Sequence, residues 1–302
     1  MGKIKNMSGR ERGIPSIDAD LCTACGLCAR VCPTSTIMMS GDKPCITGDG
    51  GFGCIACGQC VAVCAEGATR VTGRGMSPED GFVLPPASER STAKGLEALL
   101  ESRRSMRQYK DQPLTHETID RLLTMASTAP MGFPPSDVGV IVINGKERVQ
   151  EFAEDLCQEF KKWLFFASPI GSLVMRGVMD KATRDMMKDL VLPITIEILE
   201  ARKKGQDFLF YHAPCVIVFY DPMKDTVDPS IAGSFATIAA ESLGLGSCMI
   251  GTVAPALKGS RELRAKWGIP DGQHPSIAMT LGYGAVSYKR GIRRRFASVR
   301  YI

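Results

Sequence analysis

Eight of the twelve cysteines in this 302-residue chain are arranged as two copies of one pattern. Each copy has three cysteines at every third position and a fourth cysteine four positions later. The first copy comprises Cys22, Cys25, Cys28 and Cys32, and the second comprises Cys54, Cys57, Cys60 and Cys64. Pro33 follows the first copy, whereas Ala65 follows the second. Soft thiolates in this number suit iron–sulfur chemistry.

The spacing predicts two [4Fe–4S] clusters with crossed ligands. Three cysteines at every third position let a short loop wrap one face of an iron–sulfur cube, while the fourth points away and binds the other cluster. We therefore expect one cluster on Cys22, Cys25, Cys28 and Cys64, and the second on Cys54, Cys57, Cys60 and Cys32. Zinc sites favour paired cysteines with a longer spacer, and a disulfide framework needs an oxidising compartment, which no signal peptide indicates here.

The cysteine region, roughly residues 14 to 75, resembles a bacterial two-cluster ferredoxin. Short strands are expected at Ile17–Asp20 and at Thr69–Thr72. Cys45 is surplus to the eight ligands, so we expect a buried or free thiol there, or a replacement ligand. The glycines at positions 48, 50 and 53 satisfy a dinucleotide fingerprint, but they run directly into Cys54 without a preceding strand, so a turn is the better interpretation.

Composition excludes some classes of function. The net charge of +5 is mild and gives no case for nucleic acid binding, and no apolar run approaches the length of a membrane span. A cytoplasmic location in an organism with low-potential, anaerobic metabolism fits the cysteines best.

Beyond the cysteines, glycines and prolines from Gly73 to Ser91 indicate an extended connector. The periodicity then alternates between strands and helices. Strands are expected at 138–143, 214–220 and 276–282, the last one central. Helices are expected around 96–100, at 115–126 with Thr115 as N-cap, at 147–166, at 180–204 with a break near Pro193, and at 231–243. The predicted fold class is α+β: a ferredoxin-like domain at 1–75, a linker at 76–95 and a layered α/β/α domain at 96–302.

Four motifs in a fixed order resemble the FMN-dependent nitroreductase family over about Leu96 to Arg295. They are the basic stretch 103–109, the Ala129-Pro130 loop, the segment 244–251, and Leu281-Gly282-Tyr283-Gly284 followed by arginines. The resemblance implies FMN as cofactor and no obligatory side-chain acid, because the flavin N5 performs the chemistry. The loop after Pro130 departs from the family pattern, with Pro134 where many members have asparagine.

The FMN phosphate is a dianion that favours guanidinium groups and a hydroxyl. Arg103 and Ser105 match the family's phosphate ligands, with Arg104 their neighbour, and Arg107 matches the residue that reaches the pyrimidine edge of the flavin. Arg293, Arg294 or Arg295 would complete the clamp. The resemblance also implies that Gly246–Gly251 is a loop that passes over the flavin, with Met249, Ile250 and Gly251 beside the cofactor. It implies that Met131, Gly132 and Phe133 reach the cofactor of the opposite subunit in a homodimer.

These expectations describe an oxidoreductase that passes electrons from a low-potential donor, most simply a reduced ferredoxin, through the clusters to FMN. A small organic acceptor of the nitroaromatic, quinone or activated-alkene class would receive them, and the segment from Trp163 to Met187 is the candidate for a lid over it. Three alternatives remain: an electron-transfer subunit that relays electrons to a partner protein, an NAD(P)H-dependent nitroreductase, and a sensor or scaffold without flavin.

Overall fold

The computed structural model of the chain describes residues 11–47, 53–132, 136–224 and 227–302. The chain divides into two compact units. The first comprises Met1–Arg90 and Met131–Asp137, and the second comprises Ser91–Pro130 and Val138–Ile302.

The first unit is built from two short antiparallel strand pairs and two single-turn helices. In chain order its elements are β1 (Ile14–Ile17), α1 (Leu27–Arg30), β2 (Ile37–Ser40), β3 (Lys43–Ile46), α2 (Gln59–Val63) and β4 (Thr69–Thr72). Strand β1 pairs antiparallel with β4, and β2 pairs antiparallel with β3 around Gly41, whose φ is 59°. Only a residue without a Cβ adopts that conformation cheaply, so Gly41 permits the tight connection.

The two cysteine motifs share one backbone conformation, thirty-two positions apart. Ala24 and Ala56 both have φ 57°, and Gly26 and Gly58 have φ 73° and 70°. Each of these glycines precedes one of the two helices, α1 or α2. The first unit is therefore an internal repeat in structure as well as in sequence.

The second unit contains a four-stranded antiparallel sheet in the order β5–β6–β8–β7. Its strands are β5 (Gly139–Asn144), β6 (Cys215–Asp221), β7 (Gly246–Ile250) and β8 (His274–Gly282). Its helices are α3 (Ala93–Ser102), α4 (His116–Ala126), α5 (Lys146–Trp163), α6 (Pro169–Val178), α7 (Lys181–Met186), α8 (Leu192–Lys203), α9 (Asp228–Ser242), α10 (Val253–Gly259) and α11 (Arg261–Lys266).

Helices cover both faces of this sheet. Side chains of a strand alternate between faces, and β7 shows both environments. Cys248 and Ile250 belong to the large core that includes α5 and α10. A Cβ at Gly233 of α9 would lie 3.0 Å from Met249, so Met249 faces α9 on the other side. The second unit is thus a layered α/β/α arrangement, and the predicted α+β class is confirmed.

Several element predictions agree closely with the structure. Thr115 caps α4 by accepting a hydrogen bond from the Thr118 N–H at 3.2 Å, and Ile119, Leu122 and Ala126 form the buried stripe. Strand β4 spans the predicted residues, and β8 lies inside the sheet between β6 and β7.

Three expectations were wrong in detail. The strand predicted at Ile17–Asp20 ends at Ile17, because the Asp18 carboxylate accepts the Asp20 N–H at 3.0 Å and starts a turn. The predicted break near Pro193 is a π turn over Met187–Val191 that leads directly into α8. The loop predicted over Gly246–Gly251 is strand β7 up to Ile250, because its backbone pairs with β8 throughout.

No helix among the described residues is long and apolar enough to cross a membrane.

Candidate functional site

One cavity of the first unit is lined by three cysteines of the first motif and one of the second. The four are Cys22, Cys25, Cys28 and Cys64. Burial raises the pKa of the Cys28 thiol, and the neighbouring Cys22 and Cys25 raise it further. At Cys64 burial also acts to raise the pKa, but hydrogen bonds from Thr69 and Ala68 outweigh it and lower the pKa. The Ala68 N–H donates a hydrogen bond to the Cys64 Sγ, with 3.2 Å between nitrogen and sulfur. This bond stabilises the thiolate form of Cys64.

A second cavity has the complementary set, Cys32, Cys54, Cys57 and Cys60. Burial raises the pKa of Cys60 to about 11, with Cys54, Cys57 and Cys32 adding to the effect. Burial raises the pKa of Cys54 as well. Burial also acts on Cys32, but backbone and hydroxyl hydrogen bonds from Ile37 and Thr34 lower its pKa overall. The structure therefore groups the eight cysteines into the two crossed sets of four.

Cys45 stands apart from the eight cysteines that line the two cavities. In the described parts of the chain, no three His, Cys, Asp or Glu side chains lie close enough together to hold a single metal ion. Cys45 lies in β3 opposite Met38 of β2 and does not line either four-cysteine cavity. Of the fingerprint glycines, those at positions 48 and 50 lie outside the described residues.

In the second unit, the basic stretch after α3 runs along the edge of the sheet. Ser105 forms a parallel bridge with Ser247 of β7, and Tyr109 forms an antiparallel bridge with Gly284 beyond β8. The Lys110 N–H also donates to the Tyr283 carbonyl at 2.8 Å. The predicted phosphate-binding stretch and the predicted flavin-binding segment are therefore adjacent in space, although they are far apart in the sequence.

Alternate residues of this stretch face different surroundings. Ser102, Arg104 and Met106 line one cavity together with Glu241, which lies at the end of α9. Because side chains alternate along extended backbone, Arg103, Ser105 and Arg107 lie on the opposite face. The structure thus separates Arg104 from the three other residues predicted to bind FMN in this stretch.

Arg107 lies over an aromatic ring. Its Cζ is 5.6 Å from the centroid of the Tyr211 ring, within the range of a cation–π contact. Burial acts to lower the pKa of the Arg107 guanidinium, but Cys248 and Tyr211 outweigh it and raise the pKa. Arg107 therefore stays a full cation beside β7.

The end of β7 offers room for a ligand. Gly251 follows the strand and is exposed, and a Cβ placed there would have no atom within 4 Å. Met249 is half-buried, whereas the Ile250 side chain lies in the core. Any ligand at this position would meet the backbone of Ile250 and Gly251.

The C-terminal arginines lie in an extended, exposed tail. Arg293, Arg294 and Arg295 all belong to it. A Cβ at Gly291 would lie 3.6 Å from the Glu101 carbonyl oxygen, so the tail passes the end of α3 just before these arginines. The geometry brings the tail near the start of the basic stretch and does not single out one of the three.

The remaining predicted contacts fall elsewhere. Met131 and Gly132 belong to the first unit, and Phe133 lies outside the described residues. In the predicted lid, Met175 is fully buried, and the partly buried Trp163 ring lies tilted against Phe160 with 5.0 Å between the ring centroids, so both side chains pack against the core. Sequence reasoning missed the supporting roles of Tyr109 and Tyr211: Tyr109 lies inside the basic stretch 103–109 but was given no role there, and no motif or periodicity marks Tyr211.

Comparisons with known proteins agree with this description. Residues 100–283, more than half of the chain, match the model of the nitroreductase family, and residues 15–38 match that of a 4Fe–4S binding domain. An FMN reductase [NAD(P)H] from Bacillus subtilis is 27% identical over 187 residues, which cover 62% of this chain and 64% of that protein. The chain therefore spans less than two thirds of the length of that relative.

A solved nitroreductase with bound FMN from Bacteroides fragilis has a similar fold. It is 18% identical, covers 68% of this chain and 98% of its own, and has a TM-score of 0.50. With the antiparallel sheet between two helical layers and the basic stretch along its edge, these matches confirm the sequence-based recognition. The chain belongs to the nitroreductase family and carries a 4Fe–4S binding segment before its nitroreductase domain.

Proposed function

We propose that the protein is an iron–sulfur flavoprotein oxidoreductase. A low-potential donor, most simply a reduced ferredoxin, supplies electrons through two [4Fe–4S] clusters to FMN, and a small organic acceptor receives them. The acceptor belongs to the nitroaromatic, quinone or activated-alkene class. The observation that carries the electron path is the pair of cavities in the first unit, each lined by four cysteines drawn from both motifs.

The residues of the two cavities fit the clusters. Each cavity has the four thiols that a [4Fe–4S] cluster takes. Cys32 and Cys64 accept hydrogen bonds that stabilise their thiolates. We infer that Cys22, Cys25, Cys28 and Cys64 hold one cluster and that Cys54, Cys57, Cys60 and Cys32 hold the other.

The second unit fits FMN at the sheet edge. Arg103 and Ser105 provide a guanidinium and a hydroxyl on one face for the phosphate, with Arg293 or Arg295 arriving from the tail. Arg107 presents a cation to the pyrimidine edge, and the open position at Gly251 allows backbone N–H groups to approach the ring. Arg104 lines the separate cavity, so we infer that it is a neighbour of the phosphate ligands rather than a ligand itself.

FMN, when bound, accepts electrons and passes them on to the acceptor. The residues of the chain bind and orient it. With FMN bound, the guanidinium of Arg107 would stabilise negative charge at the pyrimidine edge, and the backbone N–H groups after β7 would do the same at the N5 edge. No side-chain acid is required in this scheme, because the protein supplies orientation and electrostatics.

The assembly belongs to the same proposal. We place a ferredoxin-like domain at 1–75, a linker at 76–95 and the FMN domain at 96–302, in a cytoplasmic homodimer. Tail residues Phe296 and Tyr301 are 86% and 97% exposed, which favours burial of the tail against a second copy. In that dimer Met131, Gly132 and Phe133 would line the partner's cofactor.

Cofactor analysis of anaerobically purified protein tests the proposal. We expect about eight iron atoms, matching acid-labile sulfide and one releasable FMN per chain. Eight irons without flavin would favour a relay or sensor, and zinc in place of iron would refute the cluster assignment. Turnover of a small acceptor with reduced ferredoxin, but not with NADPH, would support the proposed donor, and the reverse result would favour an NAD(P)H-dependent nitroreductase.

A further inference from the structure

Tyr211 and His212 form a turn with an uncommon backbone. Their φ angles are 56° and 54°, both in the left-handed region. L-amino acids disfavour that region because the Cβ approaches the following carbonyl oxygen, and two such residues in succession compound the cost. Strain of this kind persists only where surrounding contacts enforce it, and it concentrates at functional sites.

The buried carboxylate of Asp207 enforces the turn. Asp207 is 5% exposed, and its Oδ1 accepts the N–H groups of Leu209 at 3.1 Å and Phe210 at 2.9 Å. Its Oδ2 accepts the His212 N–H at 3.1 Å. The Tyr211 N–H donates to the Asp207 carbonyl oxygen, also at 3.1 Å. Asp207 thus holds the turn through both its side-chain carboxylate and its backbone carbonyl.

A second layer of contacts holds Asp207 in place. The Gln150 Nε2 donates to the Asp207 Oδ2 at 3.2 Å, and the Gln150 Oε1 accepts a hydrogen bond from Arg202 at 2.7 Å. Helices α5 and α8 supply these two residues, so the turn is anchored to the helical layer of the second unit. The position of the Tyr211 ring is therefore determined by rigid elements.

We propose that Tyr211 is a positioning residue for Arg107. The ring, half-buried against the main core, lies beneath the guanidinium at 5.6 Å and holds it where it meets the pyrimidine edge of FMN. The strained turn fixes the ring, and the ring restricts a long side chain that is otherwise exposed. The ordering entropy of Arg107 is then lost before the ligand arrives, which favours tight binding. This inference rests on the proposed FMN site.

A double-mutant cycle tests the positioning role. In the wild-type background, Tyr211→Leu should weaken FMN binding about five- to thirty-fold, the range of a cation–π contact. It should also make the flavin midpoint potential more negative, because the cation no longer stabilises charge at the pyrimidine edge. In an Arg107→Gln background the same substitution should change neither quantity. Equal effects in both backgrounds would overturn the inference.

Two further variants separate the ring from general packing. Tyr211→Phe keeps the ring but removes the hydroxyl that also hydrogen-bonds Arg107, so it should weaken FMN binding clearly less than Tyr211→Leu does, since the cation–π contact with the ring face remains. Tyr220→Leu removes another half-buried tyrosine that packs on the same core. It should leave both FMN affinity and flavin potential unchanged; a loss equal to that of Tyr211→Leu would show that packing alone is responsible.

A cycle measured without flavin distinguishes this inference from the proposed function. The Arg107–Tyr211 coupling should also appear in the unfolding midpoints of the flavin-free protein, because the contact exists in the chain itself. If wild-type protein bound no FMN but kept this coupling, the proposed function would fail while Tyr211 still positioned Arg107. If FMN bound and no coupling appeared in either cycle, the positioning role would fail alone.

Discussion

Met106 and Ser247 are joined by a backbone hydrogen bond of 2.9 Å, in which the Met106 N–H donates to the Ser247 carbonyl. Together with the bridge at Ser105, this bond fixes the basic stretch to β7. Two pieces of the proposed FMN site that are distant in the chain therefore move as one body, and disturbing either should disturb the other.

Gly246 tests this attachment. A Cβ there would lie 2.5 Å from Cγ and 2.7 Å from Cβ of Met106, atoms too close to the backbone to swing aside. Gly246→Ala should therefore destabilise the protein by about 1–3 kcal/mol and weaken FMN binding by displacing Ser105. Urea unfolding and flavin titration measure the two effects. Gly259→Ala, where a Cβ would meet nothing within 4 Å, is the matched control and should be nearly neutral. Unchanged FMN affinity in Gly246→Ala would refute the coupling.

The proposed phosphate site predicts a contrast between neighbouring arginines. Arg103→Ala combined with Ser105→Ala should abolish FMN retention through gel filtration while leaving iron content intact, because a charged and a hydroxyl ligand are both lost. Arg104→Ala should retain FMN, because its side chain lines the cavity on the other face. Retention of flavin by the double variant, or its loss in Arg104→Ala, would contradict the assignment.

The crossed cysteine sets predict how double variants behave. Cys22→Ser with Cys64→Ser removes two ligands from one cavity, so about four irons per chain should remain. Cys54→Ser with Cys64→Ser removes one ligand from each cavity, so both clusters should be lost or weakened. Iron analysis and low-temperature EPR after anaerobic reduction distinguish the two outcomes. The reverse pattern, with about four irons kept in Cys54→Ser with Cys64→Ser and both clusters lost in Cys22→Ser with Cys64→Ser, would show that each motif holds its own cluster.

Tyr109 links the basic stretch to the sheet through its hydroxyl. That hydroxyl donates to the Met106 carbonyl at 2.8 Å and lies 2.7 Å from the Thr280 Oγ1. Tyr109→Phe should cost about 1–3 kcal/mol, because buried partners lose a hydrogen bond. Chemical denaturation at neutral pH measures the loss, and a change below about 0.5 kcal/mol would contradict the role given to this hydroxyl.

The same residue predicts an alkaline dependence of stability. Burial raises the pKa of Tyr109 in the folded protein, against an ordinary value of about 10. Between the ordinary pKa and the raised pKa, Tyr109 has lost its proton in the unfolded chain but keeps it in the folded protein. The free energy of unfolding therefore falls as the pH rises. The difference in unfolding free energy between wild type and Tyr109→Phe should therefore shrink above about pH 10. The buried thiol of Cys215 contributes equally to both proteins and cancels. If the difference in unfolding free energy between the two proteins stayed constant at alkaline pH, the raised pKa of Tyr109 would be contradicted.

Much of the layered domain could be predicted from periodicity. The stripe of α4 and its Thr115 cap are local properties, and the run of β-branched residues in β6 marks a central strand by composition alone. The glycines of Gly246–Gly251 led to the prediction of a loop, because loops often require glycine. In the structure Gly246 lies in strand β7, and glycine is required there because Met106 packs too closely to leave room for a Cβ. Only the tertiary fold shows which requirement applies.

The cysteine sets were predictable because their spacing encodes the geometry, whereas the support of Arg107 was not. Tyr211 contacts Arg107 because Tyr211 and His212 form a turn with left-handed backbone angles. The residue types Tyr and His do not predict that conformation. As a charged residue, Asp207 would be expected at the surface. It is buried instead, and its carboxylate accepts hydrogen bonds from backbone N–H groups such as that of Phe210. Such contacts depend on long-range packing, so no local pattern records them.

Because each cavity of the first unit draws its fourth cysteine from the other motif, neither half of this unit is self-sufficient. A chain cut between Cys32 and Cys54 would leave both cavities incomplete, and one motif alone could not be transplanted with its cofactor. A filled cavity would thus join residues of both motifs, so that either cluster acts as a cross-link between the two halves of the unit even when the other cavity is empty.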